Sequence, residues 1–287
     1  MKHLLFLPFF FLSCLCYAQV RIQGLNELSS LPLIAPIDTL DNADLHVHYQ
    51  FSFVKDVRFP TKYTNYSLIL QIGPKLSRFS DYNSFFNDSI IVSQELQGVE
   101  RNKILMGMMS RRNLPYSEEI FKNLSKDNYT VFDKIILDYF YYEEAVPPME
   151  WTITAMEDTT LMGYTCGRAT CHFRGRDYTA WFAPDIAIDN GPWKFHGLPG
   201  LILQVEEANR EFIYRCTAFY RPRGAAPIYK KQNDYVKTTR KKWLNAKERA
   251  EKNPSKAMEG IGQVVSRGNA SPTAALKERP YNPIELE

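Results

Sequence analysis

Cysteine and histidine are the residues of this 287-residue chain whose spacing first suggests nucleophilic chemistry. Cys166 and His172 lie in one segment with a strand-like pattern, and a cysteine nucleophile needs its base about 3 Å away. Six residues at roughly 3.3 Å per residue place the two side chains about 20 Å apart along a strand. If the segment is one continuous strand, this spacing excludes a Cys–His pair.

His46 and His48 form a better metal-ligand pair, because residues two apart on a strand share one face. Zinc needs a third protein ligand and usually a fourth, and the neighbouring sequence supplies neither. We therefore interpret these histidines as the polar, solvent-facing side of a strand. We expect no bound metal and no cofactor.

Four carboxylates surround a segment rich in glycine and proline: Asp185, Asp189, Glu206 and Glu207. Paired carboxylates can do acid–base work, as in glycoside hydrolysis, but Glu206 and Glu207 point to opposite faces of a strand. The sequence contains no HExxH, GxSxG, CxxC or P-loop motif. We interpret the four acids as loop and turn residues. A hydrolase that uses histidine or carboxylate residues within 172–207 is the alternative.

Residues 1–18 have the pattern of a signal peptide. A short positive start precedes an apolar run that ends at Cys16 and is too short to span a membrane, and a small-x-Ala cleavage pattern follows. We predict cleavage before Gln19 and export to the periplasm or the outer membrane. The alternative is a lipoprotein anchored at Cys14.

Three cysteines remain after this cleavage, so an exported protein is expected to form one disulfide and keep one thiol. Cys171 and Cys216 fall on apolar strand faces, whereas Cys166 shares its face with Arg168 and Thr170. Strand parity favours a Cys171–Cys216 disulfide, although a β-bulge would make Cys166 the partner of Cys216.

Alternating apolar and polar residues predict a large antiparallel sheet. Residues 44–54 alternate most clearly, and similar segments recur along the chain as far as residue 220. Helix-forming residues predict a helical insertion near 88–112, divided at Gly98, and a second helical region near the C-terminus. The order of elements predicts an α+β fold, with a large curved antiparallel sheet that can curl into a half-barrel around a cavity.

Charge is uneven along the chain. Residues 221–287 carry 15 Lys and Arg against 7 Asp and Glu, a net of +8, whereas residues 19–220 carry 19 against 25, a net of −6. We predict one sheet domain over 19–232, a basic amphipathic helix over 233–252 and a poorly ordered tail over 253–287. The basic segment either contacts an anionic membrane surface or is a solvated face. An exported chain is not expected to bind nucleic acid.

The segment GPWKFHGLPGLI, residues 191–202, combines turn residues with aromatic residues. The turn residues are Gly191, Pro192, Gly197, Leu198, Pro199 and Gly200. The sequence Leu-Pro-Gly predicts a type II turn, with proline second and a glycine of positive φ third. Between the turns lie Trp193, Lys194, Phe195 and His196. Their side chains either close one end of the core or form a rigid rim that contacts a ligand or partner.

Several motifs carry a resemblance to a known family. They are LQIG at 70–73, SRF at 77–79, YNSFF at 82–86, GYTC at 163–166, FRGRDYTAWFAPDI at 173–186, GPWKF at 191–195, GLPGLI at 197–202 and PYNPIELE at 280–287. On these motifs the chain resembles the GLPGLI family of exported bacterial proteins over most of its mature length. Ala187 departs from the pattern, since similar sequences usually have proline there. The resemblance implies an envelope protein of a Gram-negative bacterium, without an established activity or catalytic residues to carry over.

The expected function is non-enzymatic. An aromatic-rich curved sheet without a catalytic constellation indicates a periplasmic or outer-membrane-associated binding or accessory protein. Its partner would be an apolar ligand, a lipid or an envelope protein. Besides the hydrolase, a purely structural module that contacts other envelope proteins is the remaining alternative.

Overall fold

The structure is a computed structural model, and it describes residues 33–110, 116–154, 159–259 and 278–287. The predicted signal peptide, the cleavage site before Gln19 and the alternative anchor Cys14 lie outside these ranges. Residues Ile34–Glu287 form one unit.

In chain order, the strands are β1 (Ile37–Asn42), β2 (Leu45–Val54), β3 (Tyr63–Ile72), β4 (Ser77–Asp81), β5 (Glu119–Asn123), β6 (Asn128–Ile135), β7 (Asp138–Ala145), β8 (Thr152–Ile153), β9 (Thr159–Leu161), β10 (Tyr164–Phe173), β11 (Arg176–Ala183), β12 (Leu201–Glu207), β13 (Phe212–Tyr220), β14 (Pro227–Lys231) and β15 (Tyr235–Lys237). The helices are α1 (Tyr82–Leu96), α2 (Arg101–Ser110), α3 (Arg240–Lys252) and α4 (Pro254–Glu259), with a 3-10 turn at Leu124–Lys126.

Thirteen strands form one sheet in the order β15-β7-β6-β5-β4-β3-β2-β13-β12-β11-β10-β8, with β9 also paired to β10. Neighbouring strands run antiparallel except β15 and β7. The end strands do not pair with each other, so the sheet stays open, and β1 and β14 form a separate ribbon. The predicted α+β fold with a large antiparallel sheet is confirmed.

One face of the sheet, which we call the inner face, carries the main core. On β2 it is formed by Val47, Tyr49 and Phe51, all buried in the main core cluster, as the alternation of residues 44–54 predicts. The Phe51 ring stacks on Tyr214 of β13 with 4.4 Å between the ring centroids. The sequence pattern therefore identified the face of β2 that packs into the core.

The opposite, outer face of β2 is covered as well. His46 is buried and His48 half-buried, because α1 places Phe85 and Tyr82 with ring centroids 5.7 Å and 4.7 Å from them. Burial, and to a lesser extent His48, lowers the pKa of His46 to about 4. The prediction of solvent-facing histidines is wrong, because the helical insertion folds back over this strand. Within the described ranges, no three His, Cys, Asp or Glu side chains are grouped to hold a metal ion.

Two helices, α1 and α2, occupy the region of the predicted insertion, but α1 begins earlier, at Tyr82. Asp81 caps it, since its carboxylate accepts a hydrogen bond from the amide of Ser84 at 2.7 Å. The first turn of α1 is rich in aromatic and polar residues with low helix propensity, which hid the helix start. Gly98, with a φ of +69°, lies between the two helices as predicted.

The C-terminal region differs most from the prediction. Helix α3 begins at Arg240 instead of 233, because Thr239 caps it and Tyr235–Lys237 pairs with β7. Residues 260–277 of the predicted poorly ordered tail lie outside the described residues, and the parts of the tail that are described are folded. Residues Pro254–Glu259 form α4, and residues 278–287 pack against the sheet, with Glu285 only 4% exposed. An irregular segment has no periodicity, so the sequence could not show that specific ion pairs hold it.

None of the described helices is long and apolar enough to cross a membrane.

The disulfide predicted from parity is not formed. Cys166, Cys171 and Cys216 are free thiols. Cys171 lies on β10 and Cys216 on β13, with β11 and β12 between them. Three strand spacings of ~4.8 Å each are about twice the Cα separation of ~7 Å that a disulfide tolerates. The alternation along each strand showed that the side chains of Cys171 and Cys216 point to the core. The order of the strands, which the alternation does not determine, places the two residues too far apart.

We expect residues 19–287, produced without the predicted signal peptide, to show three DTNB-reactive thiols when denatured without reductant. The folded protein should react slowly, because Cys166 and Cys171 are buried and burial raises the pKa of Cys171 and Cys216 to about 12. Peptide mass mapping under non-reducing conditions provides the check. A peptide pair joined through Cys216 would contradict the strand order.

Candidate functional site

The connection between β11 and β12, residues 184–200, folds back onto the inner face of the sheet. Trp193 and Phe195 are completely buried. The Phe195 ring lies 4.9 Å from Tyr178, and the Trp193 ring lies 5.7 Å from Phe173, between centroids. The loop therefore fills the hollow of the curved sheet. This burial agrees with the core-closing interpretation for Trp193 and Phe195, neither of which is exposed as a rim residue would be.

Lys194, between the two aromatic residues, is also completely buried, and its ammonium is paired. Nζ lies 2.5 Å from Glu285 Oε1 and 2.6 Å from Glu144 Oε1, and it donates to the Tyr142 hydroxyl at 3.1 Å. Arg240 of α3 lies 2.5 Å from Glu285 Oε2. Burial opposes ionisation of Glu285, but Lys194 and Arg240 lower its pKa. One ion-pair network thus joins the loop, α3 and the C-terminal segment.

A second buried lysine, Lys122 of β5, holds the backbone of the same loop. Its Nζ donates to the Gly191 carbonyl at 2.7 Å, to Asn190 Oδ1 at 3.2 Å and to the Phe195 carbonyl at 3.3 Å. Because an ammonium has three N–H donors, these three acceptors saturate it. Burial lowers the pKa of Lys122 to about 7, and Asp189 opposes this shift.

The Leu-Pro-Gly turn differs in type from the prediction. The Gly200 amide donates to the Leu198 carbonyl at 2.8 Å, which is the i to i+2 bond of a γ-turn around Pro199 and not the i to i+3 bond of a type II turn. Gly200 has a φ of +154°, and a β-carbon there would lie 2.2 Å from the Ala183 carbonyl oxygen. Close backbone contact with the end of β11 therefore requires this glycine.

Five of the six histidine and carboxylate residues considered for a hydrolase have a partner of their own. The partners are Asp177 for His172 (2.7 Å), the Gly197 amide for Asp189, Arg215 for Glu206 (2.8 Å), Arg176 for Glu207 (3.6 Å) and the Pro147 carbonyl for His196 (3.0 Å). Asp185 is exposed. Because no two of these residues share one of these partners, they form separate ion pairs and turns. This arrangement agrees with the interpretation of the four carboxylates as loop and turn residues. Cys166 and His172 lie on the single strand β10, which satisfies the condition that excludes them as a pair.

A cavity of about 190 Å³ lies between the sheet, α3 and the C-terminal segment. Its apolar wall is a row of nearly parallel rings. Phe53 lies 5.4 Å from Phe51 and 6.0 Å from Tyr66, with interplanar angles of 12° and 8°. Phe212 of β13 continues the row, 6.3 Å from Phe53. The remaining walls include Trp243 and Leu244 of α3 and residues 281–285.

Glu118 forms a polar end of this cavity. Its Oε1 accepts hydrogen bonds from Trp193 Nε1 at 3.0 Å and from the Tyr116 hydroxyl at 3.3 Å, and its Oε2 accepts from Lys247 Nζ at 3.4 Å. Lys247 also donates to Asp133 Oδ2 at 2.9 Å. Burial raises the pKa of Glu118, and Lys247 opposes this shift. The buried loop thus positions a carboxyl group in the wall of an aromatic cavity, the combination of surfaces typical of small-ligand sites.

Glu118, Lys247 and residues 281–285 were not identified from the sequence. Lys247 follows Trp243 by four residues and so shares its face of α3, a spacing that could have suggested it. Glu118 precedes a strand, and residues 281–285 belong to a segment without periodicity. Only the folded chain brings these three regions together.

A family model described as "Protein of unknown function (Porph_ging)" matches residues 174–204. The matched residues include β11, the whole connection over 184–200 and the start of β12. The match therefore covers the loop that fills the sheet, and it is consistent with a family of unknown function.

Two crystal structures of PNGF-II, in different space groups, are similar to this chain at 13% and 12% sequence identity, with TM-scores of 0.49 and 0.47. Each similarity covers 72% of this chain and 34% or 33% of the other, so the chain spans about one third of their length. A search of curated protein sequences gives no match.

Gly200→Ala should destabilise the fold far more than Gly224→Ala, which is the matched control. Both glycines have positive φ, but a β-carbon at Gly224 meets no atom within 4 Å. We expect a loss of ~1–2 kcal/mol for Gly224→Ala from the backbone conformation alone. Gly200→Ala should cost more than ~4 kcal/mol or prevent folding. Equal losses in urea unfolding would contradict the contact with Ala183.

Stability should also depend on pH through Lys122. Its folded pKa of about 7 lies below the ordinary lysine value of 10.5, so between these values the unfolded chain binds more protons. The free energy of unfolding therefore rises with pH in this window, and the penalty is greatest below pH 7. Relative to Lys122→Met, the wild type should gain about 3 kcal/mol between pH 6 and pH 9 in urea unfolding. A constant difference would show that the amine keeps its charge throughout.

Proposed function

We propose that this protein is an exported envelope protein that binds a small amphipathic ligand in the cavity beside Glu118 and carries out no reaction on it. The signal-peptide pattern of residues 1–18 and the resemblance to the GLPGLI family support the export and the finer family name. Both remain part of the proposal, together with location in the periplasm or at the outer membrane.

The cavity is the observation that carries the proposal. Its volume of about 190 Å³ is comparable with that of engineered cavities of about 150 Å³ that bind benzene. A site of this size accommodates one six-membered ring or a short acyl segment. The parallel rings of Phe51, Phe53, Tyr66 and Phe212 offer apolar contacts along such a group.

The charged groups of the cavity wall favour a neutral ligand. Each has an opposite charge close by: Lys55 has Glu251 at 3.0 Å, Lys247 has Asp133 at 2.9 Å, and Glu285 has Lys194 at 2.5 Å. A charged ligand would have to displace one of these partners, and breaking the buried Lys247–Asp133 or Lys194–Glu285 pair is costly. A hydroxyl or amide can instead hydrogen-bond to Glu118 without displacing Lys247. We therefore expect one apolar ring or short chain with a neutral polar group.

The absence of catalysis rests on the arrangement of the described acids and histidines. The residues within 172–207 that were considered for a hydrolase have separate partners. In the cavity, Glu118 accepts hydrogen bonds from Trp193, Tyr116 and Lys247, which leaves about one of the roughly four acceptor positions of its carboxylate for a ligand donor. These contacts support binding over acid–base chemistry.

Blocking the cavity should remove the ligand. Ser117 is exposed and lines the cavity, so Ser117→Trp fills it without disturbing the core. Ser125 is exposed and does not line it, so Ser125→Trp is the matched control. In native mass spectrometry of protein purified from its own cell envelope, wild type and Ser125→Trp should carry a noncovalent adduct that Ser117→Trp lacks. An adduct retained by Ser117→Trp, or absent from the wild type, would contradict the proposal.

A further inference from the structure

The turn between β2 and β3 exposes apolar side chains that the described parts of the chain do not cover. Val57 is 55% exposed and Phe59 is 57% exposed, and Pro60 beside them is exposed too. Neither Val57 nor Phe59 belongs to a core cluster of the described residues. We call residues 55–62 the hairpin tip.

The hairpin tip is held in shape before it meets any partner. The Arg58 guanidinium donates to both oxygens of Asp56, at 2.9 Å and 2.7 Å. The Phe59 amide donates to the Asp56 carbonyl and the Lys62 amide to the Phe59 carbonyl, both at 2.9 Å. These bonds close two successive turns. An apolar side chain on a fixed turn loses little entropy when it binds.

Positive charge surrounds this apolar tip. Lys55, Arg58 and Lys62 are the bases of the segment and Asp56 is its acid, a net of +2 from three positive charges and one negative. Glu251 of α3 pairs with Lys55 at 3.0 Å. Apolar residues that project from a basic turn match the interface of an anionic bilayer, where acyl chains lie beneath negative headgroups.

The size of the tip argues against a protein partner. A stable protein interface buries on the order of 1,000 Å² or more, whereas the exposed apolar surface of the tip consists of two side chains and a proline. A bilayer needs no complementary shape and accepts a small inserted tip. We propose that the hairpin tip docks this protein on an anionic lipid surface by inserting Val57 and Phe59 between headgroups that contact the exposed Arg58 and Lys62.

This docking goes beyond the proposed ligand binding and does not depend on it. The two features are nevertheless adjacent, because Lys55 and its partner Glu251 also line the cavity. A docked tip would bring that part of the cavity wall close to the headgroups. It also differs from the membrane contact predicted for the basic C-terminal segment, where the ion-paired side chains of Arg240 and Lys247 are only 19% and 23% exposed, against 64% for the ion-paired Arg58 of the tip.

Vesicle flotation of the mature chain, residues 19–287, tests the proposal. We expect binding to phosphatidylcholine vesicles that contain about 30% phosphatidylglycerol, and weaker binding to pure phosphatidylcholine. Val57→Ser with Phe59→Ser should reduce the partition coefficient at least about tenfold. Lys62→Gln should reduce it about fivefold, as expected for one basic residue near an anionic surface. Raised salt should weaken binding of the wild type.

The matched control changes equally exposed apolar residues elsewhere. Ile153 and Met162 are 51% and 45% exposed, and Ile153→Ser with Met162→Ser should leave partitioning unchanged. Equal binding of the tip variant and wild type would overturn the proposal, as would a wild type that fails to float with the anionic vesicles. If either result is found, sedimentation can test another role for the tip. Concentration-dependent dimers of the wild type that the tip variant does not form would identify the tip as an interface between copies. The Ser117→Trp variant separates this proposal from the proposed ligand binding. It should lose the ligand and still float with the anionic vesicles.

Discussion

Two lysine ammonium groups, Lys122 and Lys194, are buried where the β11–β12 connection enters the curved sheet, and the surrounding structure is arranged around them. Moving such a charge out of water costs several kcal/mol unless it is paired or hydrogen-bonded. Lys122 is satisfied only when the loop backbone presents the Gly191 and Phe195 carbonyls to it. The path of the loop is therefore fixed by a residue on β5, a strand distant from it in the sequence.

Lys194 connects the loop to charged residues that are farther away in the sequence. Its carboxylate partners come from Glu144 on β7 and from Glu285 near the end of the chain. Arg240 shares Glu285 and so joins α3 to the same centre. Removing one partner of a buried pair typically costs ~3–5 kcal/mol. The C-terminal segment is thus part of the fold, because the charge in the loop requires it.

The cavity is a consequence of the same contacts. Trp193 is buried beside Lys194 and donates its indole N–H to Glu118, and the residues just before Glu285 form one wall. The groups that fill the hollow of the sheet therefore also limit the space that is left. This coupling limits the proposed ligand to a ring or short chain.

The sequence by itself determined the alternation on β2, the strand hairpins, the position of Gly98 between two helices and the tight backbone at Gly200. Each of these depends on residues close together in the chain, through side-chain period or allowed φ. Only the tertiary structure decided the rest. Strand order separated Cys171 from Cys216, and α1 covered His46. Arg240 and Lys247 of the basic C-terminal region were engaged by Glu285 and Asp133 inside the protein. Ion pairs and covered faces join residues that are remote in sequence, and local patterns carry no information about such distances.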